Sequence, residues 1–351
     1  MGMIKIPETS IDYFKSNLDE IFETGNFAEG KWNKELSHFV KELTGVNTSV
    51  CTNSNGAGLV ALLSIYRHYK NRNTVLIQTN TMYGVKAMVP AAGCELGRFI
   101  DCQLKSLMPS LSDVKNSISK MTEDEKGRSI ILLSHIGGII NPDMKGIADL
   151  CKNENIILLE DCAHSFGATL YGKHSGLFGD AGVYSFYATK AIPAGEGGVV
   201  VTNDLEIGEM ILKYSIYDRF DQKLEIGNNI RISEVQALLT FAIVKEWKHI
   251  VENKMEIADK YMDVCKRKKI KYIAQNKNGH FGNYYKFTLI TPGVPVVEAL
   301  PDLETKTSPV YDYSIGVNNL VSDQHLCLPI WYGQEIDITL AVCREIDKKS
   351  L

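Results

Sequence analysis

Between residues 46 and 161, short apolar runs of strand length alternate with stretches of helical periodicity. The runs are V-N-T-S-V-C, T-V-L-I-Q, C-E-L-G-R-F-I-D, S-I-I-L-L-S and N-I-I-L-L-E-D. Between them, A-G-L-V-A-L-L-S-I-Y, V-K-A-M-V-P-A-A and M-K-G-I-A-D-L-C-K carry apolar residues at helical spacing. Such alternation predicts an α/β domain with a largely parallel sheet. The strands are apolar on both faces, as a sheet covered by helices on both sides requires. Two helical patterns, 9–24 and 33–44, precede the first strand. After Asp204 the pattern changes: 205–217 and 231–268 read mostly as helix, then come short strands such as Y-Y-K-F-T-L-I and a last helix near 335–348. The expected organisation is a large α/β unit over 1–244 with its N-terminal helices, and a smaller α+β unit over 245–351.

A chain of 351 residues is long enough for both cores. Its net charge of −4 gives no global field for nucleic acid or anionic lipid, and K-R-K-K at Lys266 to Lys269 reads as a solvated helix end. The N-terminal residues lack an apolar signal core, and no apolar run reaches membrane-spanning length. The eight cysteines form neither a C-x-x-C pair nor a Cys/His zinc spacing, so no metal site is expected. Cysteines inside apolar runs act as small hydrophobes, and a reducing cytoplasm is the expected setting.

In a parallel α/β domain, ligands gather at the C-terminal ends of the strands. Four polar clusters fall there. Asn53-Ser54-Asn55-Gly56 lies between a strand and a helix, where backbone amides can hold a phosphate; Ser54 or Asn55 could equally serve as a plain helix cap. Asp161 and His164 follow an apolar strand. A carboxylate there can hold a cationic group of a ligand or cap a helix. Ser185 and Lys190 end another apolar run before a glycine-rich turn. Lys190 is either a surface lysine or a nucleophile activated by burial. The fourth cluster is G-N-N-I-R-I-S-E, Gly227 to Glu234. A phosphate cradle, an aspartate and a lysine in one α/β domain are together what pyridoxal 5'-phosphate needs: a lysine for its aldehyde, a carboxylate for its pyridine nitrogen, a helix start for its phosphate.

At these motifs the chain resembles the DegT/DnrJ/EryC1/StrS sugar aminotransferases, of the aspartate aminotransferase superfamily. The resemblance covers nearly the whole chain. It is densest in E-D-C-A-H-S-F-G-A, in F-G-D-A-G-V-Y-S-F-Y-A-T-K with the following G-E-G-G-V-V-V-T-N-D, and in G-N-N-I-R-I-S-E-V-Q-A. It implies a fold-type-I pyridoxal-phosphate transferase: a three-layer large domain with a mostly parallel mixed sheet and a smaller α+β C-terminal domain. Lys190 then corresponds to the lysine bonded to the cofactor, Asp161 to the partner of the ring nitrogen, and His164 to a residue near the ring hydroxyl. Ser54, Asn55 and Ser185 correspond to phosphate contacts, and Asn229 to an asparagine reaching the phosphate in the other subunit of a homodimer. Met82, in T-N-T-M-Y, stands where the family often stacks an aromatic residue on the ring. Two segments depart from the family pattern: Ser54-Asn55 replaces the usual Gly-Thr, and S-H-I-G-G-I-I-N-P replaces H-x-Y-G-x-P.

The resemblance further implies transamination from an amino acid, glutamate being the expected donor, to a keto group on a nucleotide-linked deoxy sugar. Pyridoxamine 5'-phosphate is the cofactor form between the two half-reactions. Two other readings are a keto-sugar dehydratase of the same family, against which Lys190 argues because those enzymes carry histidine there, and a non-catalytic cofactor-binding regulator. Tyr311, Tyr313 and His325 are equally candidates for substrate contact or for packing. Arg231 could touch substrate or pair with Glu234.

Overall fold

The computed structural model describes residues 4–217, 224–301 and 320–348. Helices α1 (Glu8–Thr24) and α2 (Lys31–Thr44) come first, each closed by a left-handed glycine, Gly25 and Gly45. Then follow β1 (Thr48–Thr52), α3 (Asn55–Lys70), β2 (Thr74–Gln78), α4 (Tyr83–Ala91), β3 (Glu95–Ile100), α5 (Leu111–Ile118), α6 (Glu123–Gly127), β4 (Ser129–Ser134), α7 (Met144–Asn153) and β5 (Ile157–Cys162). Two short strands, β6 (Thr169–Leu170) and β7 (Lys173–His174), lead to β8 (Ala181–Ser185), β9 (Gly198–Thr202) and α8 (Leu205–Ile216). The C-terminal part holds α9 (Glu234–Val244), α10 (Trp247–Arg267), β10 (Lys271–Tyr272), β11 (His280–Phe281), β12 (Phe287–Ile290), α11 (Val296–Ala299), α12 (Leu320–Asp323), β13 (His325–Leu328) and α13 (Ile336–Asp347).

The main sheet has seven strands in the order β1-β9-β8-β5-β4-β2-β3. Pairs along β8-β5-β4-β2-β3 are parallel, and β9 is antiparallel to both β1 and β8. The expected alternation of strands and helices is therefore present, with one reversed strand. Side-chain alternation along each strand divides the core into two layers. Val75, Ile77, Ile130, Leu132, Leu159 and Val183 pack against α3 and α8 on one face. On the other face, Leu76, Ile131, Leu133 and Leu158 meet α5 and α7, while Tyr184, Val199 and Val201 meet α2 and α9. Helices on both faces make the three layers that the family resemblance implied.

A second sheet, β10-β12-β13, is antiparallel and is covered by α10 and α13 through Tyr261, Val264, Phe287, Val342 and Ile346. Helix α10 spans both cores, with Trp247, Ile250 and Val251 against the large sheet's layer and Ile257 onward in the small one. The 231–268 segment, expected as mostly one helical stretch, is broken at Lys245–Glu246. There the Glu246 amide bonds the Ile243 carbonyl, a tighter turn than the α-helix continues. The Y-Y-K-F-T-L-I run becomes strand only from Phe287, because Tyr284 takes φ 50°. Asn283 fixes this bend by donating to the His164 and Phe166 carbonyls and accepting from the Tyr285 amide. Tyr311 and Tyr313 lie outside the described residues.

Glu234 joins the N-terminal helices to this frame. Its carboxylate is buried and accepts from the amides of Gly30 at 2.9 Å, Trp32 at 2.7 Å and Asn33 at 3.1 Å, and from the Asn33 side chain. A carboxylate at the start of α2 satisfies amides that the helix itself cannot pair. Arg231 is not its partner: Arg231 lies 3.7 Å from Glu29 and donates to the Ser215 carbonyl. Replacing Glu234 with alanine strands these buried amides, so E234A should lose about 3 kcal/mol of stability in urea unfolding; a loss under about 1 kcal/mol would show that α2 is held elsewhere.

Candidate active site

Strands β4, β5 and β8 end side by side, and the register pairs Ser134 with Asp161 and Asp161 with Val183. Asp161 is 5% exposed at the end of β5. Its carboxylate is held from three sides: Ser134 Oγ donates at 2.9 Å, Asn55 Nδ2 at 3.1 Å and the Ala163 amide at 3.1 Å. Asn55 also donates to the Val183 carbonyl at 2.9 Å, which spends both of its amide hydrogens. Ser134, which sequence reasoning missed, is in turn 2.7 Å from Thr81 Oγ1. A carboxylate fixed this way in the floor of a cavity can hold a cation without moving.

That cavity has a volume of about 390 Å³. Ser54, Asn55, Met82, Asp161, His164, Ser185 and Lys190 all line it, so seven of the eight sequence candidates converge. Asn229 does not line it. The Asn229 carbonyl accepts from Asn53, beside the turn that precedes α3. Ser54 is the N-cap of α3, its Oγ accepting from the Ala57 amide, while the first amides of the helix keep no partner within it. The Asn55 side chain is turned to Asp161 and the Val183 carbonyl. Met82 caps α4 and is 44% exposed.

The glycine-rich turn has a steric reason. Gly197 has φ 139° and bridges to Ser54, and a Cβ on Gly198 would stand 2.7 Å from the Ser54 carbonyl carbon and from the Asn55 nitrogen. Only glycine lets β9 approach the α3 turn this closely. The loop between β8 and β9 is closed by Ala188 amide to Gly195 carbonyl and Ala194 amide to Phe186 carbonyl bonds, and Lys190 lies within it.

Burial lowers the pKa of the Lys190 amine, opposed in part by the Asp161 carboxylate. His164 is buried, and burial with the neighbouring Lys190 and Lys286 cations pushes its pKa well below 6.5. Its ring lies 4.3 Å from that of Tyr285, centroid to centroid, and the Lys190 ammonium is 5.5 Å from the same Tyr285 ring. Tyr285 comes from the segment before β12, more than a hundred residues from His164, and no local motif marked it. His325 is buried on β13 with Nδ1 against the Val321 carbonyl, a packing position.

Behind Asp161, Glu160 points to the opposite face. It accepts from His135 Nε2 at 2.8 Å and from the amides of Gly176, Phe178 and Gly179. His135 Nδ1 accepts from the Asn141 amide, so Nε2 carries the proton. This ties the divergent S-H-I-G-G-I-I-N-P segment to the strand. His135, Glu160 and Cys162 lie close enough to suggest a metal triad, but the carboxylate is already engaged by four donors and burial keeps the Cys162 thiol protonated.

The residues fit pyridoxal phosphate on two structural grounds. Among the described residues, His164 Nδ1 is buried with no hydrogen-bond partner, an orphan at the cavity wall. Asp161 sits fixed within the same cavity as a desolvated lysine and the start of α3. The fold is that of the solved aminotransferases of fold type I. Residues 9–325 match the DegT/DnrJ/EryC1/StrS aminotransferase family, and the chain belongs to that family. The family makes it a transaminase. GDP-perosamine synthase of Escherichia coli O157:H7 is 29% identical over 245 residues, which cover 66% of this chain and 63% of that relative. GDP-perosamine synthase of Vibrio cholerae is 25% identical over an alignment covering 97% of both chains. Among solved structures, Helicobacter pylori PseC, an aminotransferase involved in the biosynthesis of pseudoaminic acid, superposes with a TM-score of 0.83 at 18% identity, covering 98% of this chain and 97% of that one.

A buried histidine with a lowered pKa must take up a proton on unfolding in acid. The unfolded state binds more protons as pH falls through 6.5, so His164 subtracts stability below that value and not above it. An H164Q variant should therefore lose less stability than the parent between about pH 6.5 and 5. Parallel urea midpoints across that range would disprove the neutral assignment.

Proposed function

We propose that the chain moves an amino group from an amino acid, with L-glutamate as donor, to a keto group of a nucleotide-linked deoxy sugar. The observation that carries this reading is the convergence of Lys190, fixed Asp161 and the α3 turn in one cavity, in a chain of this family. The names of the two GDP-perosamine synthases support the sugar-nucleotide acceptor.

Pyridoxal phosphate, when bound, supplies a carbonyl that condenses with amines and a ring that accepts an electron pair. The chain's residues do the rest. Lys190 would hold the cofactor at rest, and its neutral amine would then serve as the base that removes the proton from the donor α-carbon. The lowered pKa favours that neutral form. Asp161 keeps a proton on the ring nitrogen, and Ser134 and Asn55 keep the carboxylate aimed. Ser54, Ser185 and the first amides of α3 receive the phosphate. His164, its Nδ1 without a partner among the described residues, would meet the ring hydroxyl, and Met82 would pack against the ring face through its thioether.

We further propose a homodimer in which Asn229 reaches the phosphate of the partner subunit, consistent with its position outside its own chain's cavity. The division near residue 245 into a large and a small domain belongs to this reading, as does a cytoplasmic setting. Among the described residues no helix is long and apolar enough to cross a membrane.

The test is an absorption spectrum of the purified protein with cofactor, before and after adding glutamate, followed by keto-sugar nucleotides. The donor should shift the band, and a keto-sugar nucleotide should restore it. A bound cofactor indifferent to every amino acid would overturn the transaminase reading. K190A should lower turnover by about 10³-fold or more and abolish the parent band. D161N should retain cofactor but lose about 10²-fold in rate, near 2.7 kcal/mol of barrier; unchanged turnover would remove Asp161 from the site.

A further inference from the structure

Lys190 belongs to two cavities. Besides the main one, it lines a smaller adjoining space of about 60 Å³ with Lys254, Tyr285, Lys286, Trp331 and Tyr332. Lys254 comes from the first half of α10 and is 3% exposed. Its ammonium has three hydrogens, and the one hydrogen bond it makes among the described residues is to the Ala191 carbonyl at 3.4 Å. Lys286 stands just before β12, its ammonium 4.4 Å from the Tyr285 ring centroid. Among the described residues, neither Lys254 nor Lys286 pairs with a carboxylate. Lys5, on the rim of the same space, does so, with Glu335 at 3.7 Å.

A buried amine beside a half-buried one, neither with a carboxylate partner among the described residues, is costly, and a fold that needed only volume there could use apolar side chains instead. Burial pushes Lys254 down to about 7, assisted by Lys286, and Lys286 down to about 8, assisted by Lys190. Each amine would regain its charge beside an oxyanion. The space is small, about 60 Å³, which favours a compact anionic group such as a carboxylate.

On the transaminase reading above, we propose that Lys254 and Lys286 form the subsite for a carboxylate of the amino-acid donor, seating it beside Lys190. The carboxylate accepts charge-assisted hydrogen bonds from both amines, and the donor's amino group is thereby brought toward the cavity that Asp161 floors. No bond is made or broken at this subsite.

The experiment compares the cofactor-loaded parent with K254M and K286M, near-isosteric changes that remove a buried charge without opening a void. Three quantities are read: KM for glutamate, KM for the keto-sugar nucleotide, and the dissociation constant of glutarate, a dicarboxylate without an amine, by calorimetry. Each variant should weaken glutamate and glutarate by about tenfold or more and leave the acceptor KM within about twofold. K254R, which keeps the charge, should fall between K254M and the parent. A rise in acceptor KM with donor KM unchanged would assign the lysines to the nucleotide phosphates and overturn the proposal. All three constants unchanged, with only the melting temperature moving, would make the lysines structural and overturn it too. If K254M does not fold, K286M and K254R still decide. Should the parent turn over no amino donor, the transaminase reading fails, yet glutarate binding that the variants lose would still uphold the carboxylate subsite.

Discussion

Two adjacent carboxylates at the end of β5 organise this molecule. Glu160 and Asp161 are both buried, and a strand sends neighbouring side chains to opposite faces. One face therefore receives an anion that holds backbone amides, and the other the carboxylate that floors the cavity. Glu160 gathers the amides of Gly176, Phe178 and Gly179 and the ring of His135, which fixes the entrance to β8. Asp161 gathers Ser134 and Asn55, which fixes the end of β4 and the start of α3. Burying either charge without these donors would cost several kcal/mol, so the donors and the strand order are mutually required. Lys190, Ser185 and the phosphate turn then follow from where β8 and β9 must run.

The large sheet was legible because its strands are apolar on both faces and its helices carry clear periodicity. T-V-L-I-Q and S-I-I-L-L-S coincide with β2 and β4 to the residue. The candidate site was legible for a related reason. Strand ends in a parallel sheet share one edge, so polar residues just past apolar runs meet there even when far apart in sequence. Seven candidates found that way line one cavity. The break between α9 and α10 was not legible, because both flanks remain helix-forming and a tight turn at Lys245–Glu246 leaves no glycine or proline as a marker. The late start of β12 was hidden because Tyr284, an ordinary strand residue, takes a left-handed conformation imposed by Asn283.

Residues that act across the two sheets were the least visible. Asn55 reads as a turn residue beside a phosphate cradle, and nothing local says that its side chain is committed to Asp161 and Val183. Tyr285 reads as one aromatic residue in an apolar run, yet it stacks near His164 and lies under two lysine ammoniums. Such roles are set by long-range packing, for which a single sequence carries no periodic signal. Asn283 supplies the missing link, since its side chain ties the loop after β5 to the segment before β12 and so delivers Tyr285 to the site.

The distribution of charge around Lys190 has its own logic. Asp161 lies on one side and favours the protonated amine, whereas burial favours the neutral one. Lys286 on the other side is itself depressed by Lys190, and Lys254 by Lys286. A row of amines arranged this way holds its charges more readily beside an anion. An arriving anion would draw protons onto Lys254 and Lys286, while Lys190 stays under the opposed pulls of Asp161 and its own burial. That arrangement needs the small antiparallel sheet and α10 as much as the parallel sheet, because Lys254, Tyr285 and Lys286 all come from the C-terminal part.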